Sequence, residues 1–147
     1  MNEISKRFEQ IIHKVYEKFI HDGNLMPVKI PDGIKIGDII IKTDGAYKSI
    51  WKNNECLLDN ISLNCTAIKL ANRLALGENL YQCKNLYIAD QEYNKYFVDS
   101  TLLLASYHSC IKQQDYFKAD VLWARYEKTK NQAKNAKIKV QRLSSYK

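Results

Sequence analysis

The residues able to do chemistry are few and scattered. The four cysteines, Cys56, Cys65, Cys83 and Cys110, form no C-x-x-C pair, so the spacing that zinc ribbons and thioredoxin-type redox sites need is missing. Buried free thiols are the default expectation for such cysteines. The histidines are His13, His21 and His108, with no H-x-x-x-H or H-E-x-x-H pair. His13 and His21 lie eight residues apart, too far to share a metal on one helix. His108 and Cys110 are two apart and face different directions. Asp90 and Glu92 diverge in the same way, so no carboxylate pair presents itself for acid–base work. No G-x-S-x-G elbow, P-loop or G-x-G-x-x-G occurs. The sequence therefore points to no catalytic residue, metal, cofactor or small-molecule substrate, and the expectation is a non-enzymatic protein.

Charge is the more informative pattern. The chain has 147 residues with 23 Lys+Arg against 16 Asp+Glu, a formal net charge of +7. The last acidic residue is Glu127, and residues 1–127 balance to zero. Residues 128–147 carry Lys128, Lys130, Lys134, Lys137, Lys139, Arg142 and Lys147 with no acid among them. Such a stretch attracts polyanions, DNA or RNA among them, or else solvates a helix end whose dipole favours cations. Lysine dominates it, which fits non-specific phosphate contact better than bidentate base reading. Lys128, Lys130, Lys134, Lys137, Lys139 and Arg142 are the candidate nucleic-acid contacts. At about 100° per residue they spread around the helix rather than along one line. Eight of the ten tyrosines lie from Tyr81 onward. Packing is the expectation for them, and stacking on bases is the alternative, most suggestively at Tyr116-Phe117-Lys118 and Arg125-Tyr126.

Hydrophobic periodicity supplies the elements that must hold these residues. Ile4, Phe8, Ile11, Ile12, Val15, Phe19 and Ile20 predict an N-terminal helix over 3–21. Residues 24–37 hold both prolines and read as a linker or loop, with a short strand conceivable around Val28 to Ile30. A three-stranded antiparallel meander follows over Asp38–Thr43, Ala46–Lys52 and Cys56–Leu58, with Asp44-Gly45 and Asn53-Asn54-Glu55 as its turns. A helix carrying Leu63, Ala67, Leu70 and Leu74 covers it, capped by Ser62 or Asn64 at its start and by Gly77 at its end. From Leu80 the pattern is helical. A stripe from Tyr93 to Ile111 is interrupted at Gln113-Gln114-Asp115, where Asp115 is placed to cap a last helix. The fold class is thus α+β and mainly α, a small α+β domain over 1–77 and a long antiparallel αα-hairpin with a basic end over 78–147. Helices of about 40 Å exceed what so small a core needs, so the hairpin is expected to project or to pack on another chain.

Trp123, Tyr126, Ala133, Ala136, Val140 and Leu143 continue a thin apolar line into the polar tail, and these are the candidate partner-helix interface. The favoured expectation is a structural or assembly protein that self-associates or docks on another protein through the hairpin. The alternative is an accessory protein binding nucleic acid non-specifically through the basic helix. Met1 to Gln10 is polar and no apolar run nears the roughly 20 residues of a membrane span, so a soluble protein without a membrane partner is expected.

The order of elements also suggests a resemblance. A meander ending in Leu57-Leu58-Asp59-Asn60-Ile61-Ser62-Leu63 leads into an Ala67-Ile68-Lys69-Leu70-Ala71 helix. A long helix with Tyr93-Asn94-Lys95-Tyr96 follows, then a Lys112-Gln113-Gln114-Asp115-Tyr116 break and an Arg125-Tyr126-Glu127 helix with a Lys/Ala-rich end. Over most of residues 36–143 this resembles small uncharacterised proteins encoded by large tailed bacteriophages of marine bacteria. The resemblance implies a viral origin, hence the host cytoplasm or the virion, and carries no assigned activity or site residues.

Overall fold

The computed structural model describes residues 25–145. The expected helix over 3–21 and Lys147 lie outside the described residues. Five antiparallel strands come first: β1 (Pro27–Ile30), β2 (Gly33–Ile36), β3 (Ile39–Asp44), β4 (Tyr47–Lys52) and β5 (Glu55–Ile61). They form one meander in the order β1-β2-β3-β4-β5. Three helices follow, α1 (Asn64–Ala75), α2 (Lys84–Lys112) and α3 (Tyr116–Ser145).

The meander has five strands rather than three, because residues 27–36 form a hairpin and not a linker. Pro27 opens the edge strand β1, where its missing N–H costs no ladder bond. Pro31 and Asp32 form the turn, with proline's fixed φ suited to the first turn position. Gly33 is obligatory: its φ is +150°, and a Cβ there would lie 2.0 Å from the Ile41 carbonyl oxygen. The β3–β4 turn comprises Gly45 and Ala46, one residue later than expected. Asn53 and Asn54 both take positive φ, 51° and 65°, as a two-residue hairpin turn between right-twisted strands requires.

Alternation along the strands decides the core. Ile36, Ile39, Ile41, Ile50 and Ile61 are buried against Ala67, Leu70, Ala71 and Leu74 of α1. Trp51 falls on the opposite face of β4, half-buried, with the Lys42 ammonium 4.3 Å from its ring centre. Cys83, Leu86 and Ala89 at the start of α2 and Val140 near the end of α3 join the same core. The base of the hairpin is therefore anchored on the sheet–α1 layer. A second small cluster, Cys110, Ala119 and Leu122, lies near the turn of the hairpin. Cys83 and Cys110 are buried as expected of free thiols, but Cys56 and Cys65 are exposed. Burial pushes the Cys83 thiol pKa up, which keeps it protonated and inert.

Both helix ends before the hairpin use the same stop. At α1 the Gly77 and Glu78 amides donate to the Leu74 and Arg73 carbonyls, with Gly77 at φ +102°. At α2 the Gln114 and Asp115 amides donate to Ile111 and Cys110. Here a glutamine, Gln114, takes the left-handed position at φ +61°. Asp115 then caps α3, its Oδ1 accepting from the Lys118 amide at 3.2 Å. One residue thus completes one helix and starts the next, which is what allows a three-residue corner.

The start of α1 departs from expectation. Neither Ser62 nor Asn64 caps it; its N-cap is Leu63, with no side-chain capping bond. The cap comes from α2. Asp90, fully buried, accepts from the Ser62 amide at 2.8 Å and the Leu63 amide at 3.0 Å. The Tyr87 hydroxyl and the Gln91 amide nitrogen donate to the Asp59 and Asn60 carbonyls, both at 2.9 Å. The Tyr47 hydroxyl donates to Asn94 at 3.1 Å. Residues 87, 90, 91 and 94 share one helix face, so α2 grips the β5–α1 corner through a polar row.

Candidate nucleic-acid interface

The interface is built on the seam of the hairpin. Along α3, Ala119, Leu122, Ala133, Ala136 and Val140 are buried, and Tyr126 and Leu143 are half-buried. With half-buried Thr129 these positions repeat at alternating intervals of three and four, the spacing of a helix packed along a second helix. The stripe expected to meet a partner helix is therefore covered within one chain, by α2 along its length and by the core at Val140. Trp123 is the exception, 40% exposed and displaced to one flank of the seam.

The seam also sorts the basic residues. All six candidates are exposed. Relative to Lys130, the residues Lys134 and Lys137 fall within about 40° around the helix, and Trp123 within about 20°. Lys128, Lys139 and Arg142 fall more than about 100° away, on the other side of the seam. Lys139 lies 4.0 Å from the Glu92 carboxylate, an exposed pair of little energetic weight.

On the first flank, side chains of α2 and α3 line a groove of about 870 Å³. Its α2 wall carries Tyr93, Phe97, Ser100, Thr101 and Leu104, and its α3 wall carries Tyr126, Lys130, Ala133, Lys134 and Lys137. Its lining includes the small buried residues Ser100 and Ala133. Tyr93 and Phe97 stack with ring centres 5.9 Å apart, and Phe97 remains 49% exposed. The aromatic surface continues toward the hairpin turn: Trp123 lies 5.3 Å from Tyr126 and 5.0 Å from Tyr107, whose ring meets His108 edge-on at 5.4 Å. His108 is exposed.

The electrostatics are one-sided. Glu127 is the one acid in the groove lining. No ion pair ties Lys130, Lys134 or Lys137 among the described residues, and the Lys130 ammonium sits 5.8 Å from the Tyr126 ring centre. The Ser100 and Thr101 hydroxyls both donate to the Phe97 carbonyl, at 2.8 and 3.0 Å. Their hydrogens are turned into the helix rather than into the groove. Burial raises the Tyr93 hydroxyl pKa, with the Asp90 charge adding to it, so that phenol stays neutral well past physiological pH.

The arrangement can hold a flexible polyanion with flat apolar groups. It offers no group of three or more His, Cys, Asp or Glu residues able to hold a metal among the described residues. No helix among them is long and apolar enough to cross a membrane. Comparison with protein-family models, curated proteins and solved structures finds no match.

Proposed function

We propose that this chain is a non-enzymatic accessory protein that binds nucleic acid without sequence preference along the α2–α3 groove. The observation that supports the reading is the placement of Lys130, Lys134 and Lys137 along one wall of a groove floored by aromatic rings. Affinity comes from phosphate neutralisation and release of condensed counterions. Three lysines predict a log K against log salt slope of about −2 on single strands, and a non-specific Kd of roughly 1–100 μM at physiological salt.

The test compares two charge-matched triple variants of the full chain by fluorescence anisotropy on a labelled oligonucleotide. Lys130→Gln, Lys134→Gln and Lys137→Gln together are expected to abolish binding. Lys128→Gln, Lys139→Gln and Arg142→Gln together are expected to cost less than threefold. Equal losses from the two triples would leave only diffuse charge attraction and overturn the groove.

A second reading, self-association of the chain, is supported by the hairpin turn, where Phe117 is 84% and Tyr116 59% exposed. Sedimentation velocity at tens of micromolar tests it. A dimer lost on Phe117→Ser supports it, and a monomer at all concentrations removes it. A phage origin, as the resemblance implies, suits either role.

A further inference from the structure

Building on the nucleic-acid reading, we propose that the groove selects single strands over duplex, with unpaired bases stacking on Phe97 and Trp123 while the backbone follows Lys130, Lys134 and Lys137. Three features of the flank carry this. The first is the supply of open ring faces. Phe97 is half exposed although stacked on Tyr93, and Trp123 is 40% exposed although packed on Tyr126 and Tyr107. An aromatic ring supported on one side and open on the other is a platform for a base, which every nucleotide can use.

The second is dimension. Lys130 to Lys137 spans about 10 Å of helix axis, room for about three phosphates at the spacing of a stacked strand. Phe97 and Trp123 lie on the same flank of the seam as these lysines, so one strand reaches rings and ammonium groups together. A duplex keeps its bases paired and stacked inside, and can offer this flank only phosphates.

The third is the chemistry of the floor. The Ser100 and Thr101 hydroxyl hydrogens are held by the Phe97 carbonyl, so neither of these two hydroxyls donates to a base edge. Binding dominated by stacking on ring faces gives strand selectivity with little sequence selectivity.

The experiment measures anisotropy of the full chain on a twelve-residue oligo(dT), on a twelve-base-pair duplex, and with inorganic polyphosphate as competitor, at one ionic strength. Oligo(dT) is expected to bind at least tenfold more tightly than the duplex. Phe97→Leu and Trp123→Leu, which keep apolar bulk, are each expected to weaken oligo(dT) fivefold or more and to leave duplex binding within twofold. Equal affinity for both nucleic acids, with both leucine variants silent, overturns the strand preference while leaving the groove as a polyanion site. No binding of any of the three ligands overturns both readings. A Trp51→Phe variant leaves Trp123 as the single tryptophan and tests the stacking without altering the groove. Quenching by oligo(dT) and not by polyphosphate is the expected result, and unchanged emission at saturating oligo(dT) would overturn stacking on Trp123.

Discussion

Asp90→Asn tests the link that sets the hairpin on the sheet. The Asp90 carboxylate is fully buried and accepts two backbone hydrogen bonds, from Ser62 and Leu63 at the start of α1. An asparagine keeps the shape but has one acceptor oxygen. Its NH₂ group would face the second amide, donor against donor. Losing a hydrogen bond to a charged group costs about 1.5–3 kcal/mol, and a buried unsatisfied donor about 1–3 kcal/mol. The helix dipole of α1 loses its anion, roughly 0.3–1 kcal/mol. Relief from burying a charge offsets part of this. A net loss of about 2–4 kcal/mol remains, a large share of the roughly 5–15 kcal/mol that stabilises a domain. Urea denaturation followed by circular dichroism measures it, with Glu92→Gln on the exposed side of α2 as a control expected to shift stability by less than about 0.5 kcal/mol. A loss below about 1 kcal/mol for Asp90→Asn would refute the argument that this carboxylate caps α1.

Gly33→Ala is expected to cost about 3 kcal/mol or more, because its Cβ meets the Ile41 carbonyl and backbone cannot yield as a side chain can; thermal melts measure it. Gln114→Gly is expected to stabilise the chain by roughly 0.5–1 kcal/mol, since glycine takes the φ of +61° without a Cβ penalty; a melt unchanged or lowered would contradict this. Glu78 accepts from Arg73 at 2.7 and 3.1 Å, and this hydrogen bond holds its pKa below the ordinary 4.5. The pair's contribution is then fully present above the unfolded pKa and is lost as pH falls through the depressed folded value. Glu78→Gln should therefore lower the melting temperature near neutral pH by more than it does in acid, with the deficit shrinking as pH falls, and a deficit independent of pH would contradict the assignment.

What the sequence disclosed follows from how local each signal is. The helices α1, α2 and α3 were legible because their apolar residues recur at helical spacing and their stops, Gly77 and Gln113-Gln114-Asp115, are short-range. Of the β1–β2 hairpin only a short strand around Val28 to Ile30 was legible, and β2 and the pairing were not. Its two prolines read as loop signals, yet Pro27 sits on an edge and Pro31 in a turn, where proline is tolerated. The role of Asp90 could not be read beside Glu92, because its partners, Ser62 and Leu63, lie 28 and 27 residues earlier. For the groove, the lysines were visible and their sorting was not. Taken alone they spread around the helix. Set against the seam through Ala119, Tyr126, Ala133 and Val140, three of them fall with Trp123 on one flank. Phe97 and Tyr93 were visible only as members of a packing stripe, since exposure of a ring face depends on how α2 packs against α3.

The most direct test of the central claim is the site of contact itself. A single-stranded oligonucleotide carrying 5-iodouracil, photo-crosslinked to the full chain and mapped by mass spectrometry, reports which rings the bases touch. Adducts at Phe97, Tyr126 or Trp123 are the result expected of a strand lying in the α2–α3 groove. Adducts confined to Trp51 on the outer face of the sheet, or to peptides on the Lys128–Lys139 flank, would contradict it.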